Sequence, residues 1–133
     1  MENCIFCKII KNESPSYKFY EDENYIGILS IHPLNKGQSL VIPKKHYRWV
    51  WDSENIGQYF ELTQKIVIAL KKSFNIDFVI GAQVGEEVHH AHVQLIPRYE
   101  NDGHGDFINT NIKQEFSSKE MIEIAKLIES NLG

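Results

Sequence analysis

Val88-His89-His90-Ala91-His92-Val93-Gln94-Leu95-Ile96-Pro97-Arg98 is the stretch on which the reading of this chain turns. Ala91, Val93 and Leu95 alternate with His90, His92 and Gln94. A strand sends successive side chains to opposite faces, so Val88 to Pro97 is expected to be a strand with one apolar face and one face of imidazole, imidazole and carboxamide. Left unpaired in a core, such groups cost about 1–3 kcal/mol each, so they need partners or a cavity. The pattern therefore marks a site. A His-x-His pair serves equally as a metal ligand set or as a source of a nucleophile, and the stretch alone leaves both open.

The surroundings narrow the class of protein. The 133 residues suit one domain, 1–133, large enough to bury a real core. A composition of 42% hydrophobic and 24% charged residues is that of an ordinary globular protein. No apolar run approaches the ~18 residues that span a bilayer, so no membrane partner is expected. Met1-Glu2-Asn3-Cys4 carries neither a basic region nor an apolar stretch of the export type, which points to the cytoplasm. A formal charge of −4 gives no general attraction to a polyanion. Nucleic acid is thus not an expected partner, and a nucleotide would have to be held by local donors.

Ile5, Phe6, Ile9 and Ile10 have helical spacing, with the thiols of Cys4 and Cys7 on the first turn. Lys18–Tyr20 and Tyr25–Ser30 read as a hairpin with a polar turn, and Ser39–Ile42 as a short strand stopped by Pro43. Asp52 or Ser53 is a candidate cap for the longest helix, whose stripe runs through Ile56, Tyr59, Phe60, Thr63, Ile66, Val67, Leu70 and Phe74. Phe78–Val84 and Val88–Pro97 are expected to pair as a hairpin turning at Gly85-Glu86. Arg98–Thr110 reads as an irregular loop, and Ser117-x-x-Glu120 as the capping box of a terminal helix built on Met121, Ile124, Ala125, Ile128 and Leu132. The order of elements implies an α+β fold, an antiparallel sheet covered by helices.

Cys4-x-x-Cys7 admits three readings: reduced thiols, a redox pair, or half of a zinc site. The redox reading is the weakest, because the amino terminus lacks the βαβ pattern in which such pairs sit. Zinc requires two further ligands, and the chain offers six His.

His90-Ala91-His92-Val93-Gln94, followed by Leu95-Ile96-Pro97-Arg98, resembles the signature of the histidine-triad (HIT) family, H-x-H-x-H or H-x-H-x-Q. Cys4 to Ile10, Tyr20 to Glu23 and Gly37 to His46 resemble further blocks of that family in the same order, so the likeness runs from Cys4 to Arg98. It implies a HIT-like fold of about five antiparallel strands, covered by a long helix and a C-terminal helix. It also implies a homodimer of the Hint type, formed through the long helix and a strand edge. A structural zinc is implied at Cys4, Cys7, His46 and His90. The middle His, His92, is implied to attack the α-phosphorus of a nucleotide and to hold the nucleotide as a phosphoramidate. Imidazole suits that role because it is neutral near pH 7 and its bond to phosphorus can later be broken. The substrate class would be a purine nucleotide phosphoramidate or a dinucleoside polyphosphate. Ile5, Phe6, Ile9, Ser30, Ile31, Glu87 and Val88 fall at nucleotide-binding positions, and His92 and Gln94 at catalytic ones.

Several positions depart from the family pattern. Gln94 stands where hydrolytic members have a third His, and its carboxamide can stabilise charge only as a neutral dipole. H-x-H-x-Q resembles nucleotidyl transferases such as galactose-1-phosphate uridylyltransferase and the diadenosine tetraphosphate phosphorylases, in which phosphate or a sugar phosphate replaces water. Ser30 replaces a ribose-binding Asp, Gln38 replaces a His, and Glu86 and Glu87 replace Gln and Ser near the phosphate. Hydrolase, transferase and a non-catalytic zinc-stabilised binding module all remain open at this level.

Overall fold

The computed structural model describes residues 3–133; the reading of Met1 and Glu2 as free of an export signal lies outside the described residues. The elements are α1 (Ile5–Ile10), β1 (Lys18–Glu21), β2 (Tyr25–Leu29), β3 (Ser39–Pro43), α2 (Ile56–Phe74), β4 (Phe78–Ala82), β5 (Val93–Arg98) and α3 (Ser118–Ser130). The strands form an antiparallel sheet in the order β1-β2-β3-β5-β4. This is the expected α+β architecture.

Alternation along the strands sorts the core into two layers. Leu29, Val41, Val93 and Leu95 point to the face covered by α2 and α3, where they meet Tyr59, Ile66, Leu70, Met121, Ile124 and Ile128. Ile26, Ile28 and Ile42 point to the other face, where Phe6 and Ile9 of α1 cover them. The Tyr59 hydroxyl is buried within the first layer and donates to the Val41 carbonyl at 2.6 Å. Gly37, at φ +85°, lies directly under the Phe74 ring, where a Cβ would collide with the end of α2. That glycine lets the β2–β3 loop tuck beneath the helix.

Three local expectations fail for identifiable reasons. Val88–Pro97 is not one strand, because β5 begins at Val93 and a ten-residue connection, 83–92, replaces the tight turn at Gly85-Glu86. Ala91 N–H donates to the Tyr47 carbonyl at 2.8 Å, and the flanking imidazoles bond to backbone carbonyls, so this segment is held outside the β4–β5 ladder. The expected sidedness nevertheless survives: Ala91 is buried with Val93 and Leu95 beneath the helices, while His90 and His92 face Phe6 of α1. Neither Asp52 nor Ser53 caps α2. A short 3-10 turn, Val50–Asp52, intervenes, Asp52 accepts from Trp49 N–H at 3.2 Å, and α2 starts after Asn55. Ile56 lies at the exposed start of α2, whereas Leu62 and Ala69 join the buried stripe. The capping box at Ser117 and Glu120 is present as expected.

The segment after β5 is irregular but tightly tied. Arg98 Nε and Nη2 donate to Asp102 at 2.8 and 3.1 Å, Nη2 also to the Gly105 carbonyl at 2.7 Å, and Nη1 to the Phe107 carbonyl. Asn35 from the β2–β3 loop donates to Asp102 and to the Pro97 carbonyl. The Arg98 guanidinium holds the Asp102 carboxyl well below the usual carboxylate range. His104 is buried, donates through Nε2 to the Leu34 carbonyl at 2.9 Å and accepts at Nδ1 from Asn109 N–H at 3.0 Å. Among the described residues, no helix is long and apolar enough to cross a membrane.

Candidate active site and metal centre

The site is assembled where α1 crosses the segment leading into β5. Cys4 caps α1, its Sγ accepting from Cys7 N–H at 3.2 Å, which turns both thiols toward the sheet. His90 Nδ1 lies 3.3 Å from Cys4 Sγ and 3.5 Å from Cys7 Sγ, and His46 Nδ1 lies 3.4 Å from Cys7 Sγ. The four ligand atoms all fall within 4.8 Å of one another. A tetrahedron built on zinc–sulfur bonds of about 2.3 Å and zinc–nitrogen bonds of about 2.0–2.1 Å has edges of about 3.3–3.8 Å, so the set fits that ion.

Protonation states agree with this fit. His90 is fully buried, and its Nε2 meets the Pro43 carbonyl at 2.8 Å. A carbonyl only accepts, so Nε2 carries the hydrogen and Nδ1 turns its lone pair to the thiols. Burial lowers the His90 pKa to about 4, which keeps the ring neutral as a ligand must be. Burial and the neighbouring Cys4 push the Cys7 thiol up to about 11. A thiol that resists ionising beside a second sulfur is the kind of group a divalent cation would relieve.

His92 lies beside this cluster, and its Nδ1–H donates to the His90 carbonyl at 2.8 Å. That bond leaves the Nε2 lone pair free and fixes the ring plane, and the Phe6 ring lies edge-on to it with centroids 5.0 Å apart. His92 is 6% exposed, and burial lowers its basicity, partly opposed by the bond to the His90 carbonyl. Gln94, two residues further on, is half-buried on the same face and pairs in register with Leu40 of β3 and Ala82 of β4.

The remaining expected residues separate into groups. A cleft of about 740 Å³ beside the cysteine–histidine cluster is lined by Asn3, Cys4, Ile5, His46, Glu87, Val88 and His89. Phe6 is buried against His92 and His90, whereas Ile9 is part of the core over Ile26 and Ile42. Ile31 is 66% exposed and lies at a different cleft, of about 380 Å³, with Tyr17, His32, Gln114 and Phe116 among its walls. Ser30 follows β2 directly, and its Oγ accepts from His32 N–H at 3.4 Å. Gln38 is buried and turns its carboxamide oxygen to Leu34 N–H at 2.6 Å, so it serves the β2–β3 loop. Glu86 and Glu87 are exposed at the surface of the 83–92 connection. Sequence reasoning passed over the Tyr47–Trp49 segment that braces this connection, since Gly85 was read only as the pivot of a tight turn.

A buried imidazole with one free nitrogen thus lies beside a two-thiol, two-imidazole cluster whose ligand atoms are close enough to hold a metal ion, on an open antiparallel sheet. The model of the HIT domain matches residues 11–101. The chain belongs to the HIT family. It is 43% identical over 114 residues to an uncharacterized HIT-like protein of Borreliella burgdorferi, covering 79% of this chain and 82% of that protein. It is 38% identical over 107 residues to the adenylylsulfatase HINT3 of Arabidopsis thaliana, covering 75% of this chain and 54% of that longer protein. Among solved structures, a Hit-like protein of Bartonella henselae superposes with a TM-score of 0.85 at 35% identity, covering 98% and 97% of the two chains. A zinc-bound histidine-triad family protein of Mycobacterium smegmatis superposes with a TM-score of 0.82 at 28% identity, covering 98% and 94%.

Proposed function

We propose that this chain is a single-domain, nucleotide-binding hydrolase that works through a nucleotidyl-histidine intermediate on His92. The observation that carries the reading is the His92 ring, buried, pinned at Nδ1 and free at Nε2. Nε2 attacks the α-phosphorus, a phosphorus–nitrogen bond forms, and the bond to the leaving amine or phosphate breaks. Water then attacks the same phosphorus, releases the nucleoside monophosphate and returns the imidazole. Gln94 donates its amide N–H to a non-bridging oxygen during both steps. Ile5 and Phe6 of α1, backed by Ile9, form the nucleoside side with Ser30, and Glu87 and Val88 form the phosphate side, whereas Ile31 opens onto the other cleft. The relative from Arabidopsis thaliana is named for an adenylyl compound, which supports a purine nucleotide as substrate.

The test is rapid mixing with adenosine 5′-phosphoramidate and a panel of dinucleoside polyphosphates, followed by alkaline quench. An acid-labile, base-stable adduct on His92 supports the reading; no adduct across the panel favours a binding module without turnover.

Gln94 favours a second reading, transfer to phosphate or a sugar phosphate. Gln94→His supplies an ionisable donor near the phosphate, worth about ten- to a hundredfold in rate if it acts only in the transition state. On the transferase reading, the ratio of nucleotide passed to water over nucleotide passed to phosphate rises in the variant. A ratio unchanged by the substitution leaves hydrolysis as the better description.

The Cys4–Cys7–His46–His90 cluster holds a structural zinc in this reading and takes no part in bond making. The chain pairs as a homodimer through the outer edge of β4 and the adjoining surface of α2. β4 is a terminal strand of the sheet, and its Phe78 is 50% exposed, as are Ile68 of α2 (48%) and Trp51 (68%). An open edge flanked by apolar side chains is the kind that pairs with another chain. Phe78→Glu is expected to convert the sedimentation profile from dimer to monomer, and a monomeric parent protein would refute the pairing.

A further inference from the structure

The 83–92 connection carries the residues assigned to the phosphate side of the site, yet it belongs to no ladder. Besides the bonds of the His90 and His92 rings at its end, three hydrogen bonds tie it down. His89 Nε2–H donates to the Glu86 carbonyl at 3.1 Å, which only closes a local turn. Ala91 N–H donates to the Tyr47 carbonyl at 2.8 Å and secures the end next to His92. The far end is secured by a side chain: Arg48 Nη1 donates to the Gly85 carbonyl at 2.8 Å.

That arginine is itself held in place. Its guanidinium lies over the Trp49 ring, 3.6 Å from the ring centroid. Gly85 closes the arrangement from the other side. At φ +71° it adopts a backbone conformation that L side chains rarely accept, and a Cβ there would come within 3.2 Å of the Trp49 ring and 3.6 Å of Arg48 Nη1. Among the described residues Arg48 makes no ion pair with a carboxylate. Its charge is directed to one backbone carbonyl, a stronger bond than a neutral donor would make. A planar guanidinium can stack and donate at once, which an ammonium cannot do in the same geometry.

We propose that Arg48 is a positioning residue for phosphoryl transfer: clasped between Trp49 and the Gly85 carbonyl, it sets the Gly85–Val88 turn at the phosphate end of the site. The proposal rests on the reading of His92 as nucleophile. Arg48 acts through the turn and not on the substrate. The nucleoside side of the site is carried by α1, and neither contact of the clasp involves that helix. Losing the clasp therefore lowers the rate at which the bound α-phosphate is attacked and leaves nucleoside affinity alone. A general loss of structure would weaken both.

The experiment uses the full chain with Trp51→Phe, which leaves Trp49 as its only tryptophan, and compares Arg48, Arg48→Lys, Arg48→Ala and Gly85→Ala. Arg48→Ala is expected to raise acrylamide quenching of Trp49 at least twofold, because one ring face loses its cover. Single-turnover formation of the His92 adduct from adenosine 5′-phosphoramidate is expected to slow about ten- to a hundredfold, the range of one charge-assisted hydrogen bond. Adenosine affinity is expected to stay within twofold. Arg48→Lys should recover part of the rate, since it keeps a donor but not the stack, and Gly85→Ala should match Arg48→Ala from the opposite side of the contact. Unchanged quenching, an unchanged adduct rate, or a parallel loss of adenosine affinity would each overturn the proposal. No adduct in the Arg48 parent would instead overturn the assignment of His92, and this proposal with it.

Discussion

His92→Ala is expected to abolish the nucleotidyl-protein adduct and to lower turnover by a factor on the order of 10⁴ or more, the scale seen when a covalent nucleophile is deleted. The fold should survive. The imidazole makes one hydrogen bond, to the His90 carbonyl, and ligates nothing, while Ala91 and Val93 on either side still fill the helix-covered core. Circular dichroism and cooperative melting check the fold, and mass spectrometry of the alkaline-quenched protein checks the adduct. Comparable adduct formation by the variant would move the nucleophile elsewhere. The rivals are poorly placed: His89 is exposed with its Nε2–H committed to the Glu86 carbonyl, and His32 is exposed in the β2–β3 loop.

The second large effect is expected from metal. Purified protein should carry one zinc per chain, and a chelator strong enough to strip it should lower the melting temperature by about 10 °C or more. The argument is mass action. An ion bound only by the folded chain at a thousand times its dissociation constant stabilises it by about 4 kcal/mol. For a domain of this size, each kcal/mol moves the midpoint by roughly 3–6 °C. The effect should be local as well as global, because Cys4 caps α1 and Cys7 lies within it whereas His46 and His90 belong to the segments after β3 and before β5. Cys7→Ser should reproduce most of the loss without chelator, since a hydroxyl is a poor zinc ligand. Elemental analysis returning no zinc, together with a melting point indifferent to chelator, would remove the metal from the account.

The fold was readable because most elements carry redundant signals. In α2, a nineteen-residue helix, the spacing of Tyr59, Thr63, Ile66 and Leu70 specifies both the helix and its buried side. At α3, the Ser117–Glu120 box and the Met121–Ile128 stripe give the same answer independently. Only half of the candidate metal set was readable in the residues themselves, as Cys4-x-x-Cys7; His46 and His90 came with the family resemblance, since no spacing rule brings His46 next to Cys7, thirty-nine residues away. The segment entering β5 misled for a physical reason. Alternation reports only that successive side chains face opposite ways, which an extended segment satisfies whether or not its backbone is paired in a sheet. Here Tyr47 and two imidazoles take the bonding that a ladder would have taken. Arg98–Thr110 is irregular as expected, but how firmly it is held was not legible. Its order comes from a buried arginine reaching three partners in its own loop, a device with no periodicity to read.

One residue serves two masters in this arrangement. The ring of His90 belongs to the cysteine cluster, and the carbonyl of the same residue aims the ring of His92. A substitution at position 90 therefore confounds a ligand defect with a misaligned nucleophile, and its kinetics would assign to chemistry what is owed to architecture. Cys4 is the cleaner handle. It reaches the cluster from the cap of α1 and shares no backbone with His92, so a change there separates the two contributions that His90 joins.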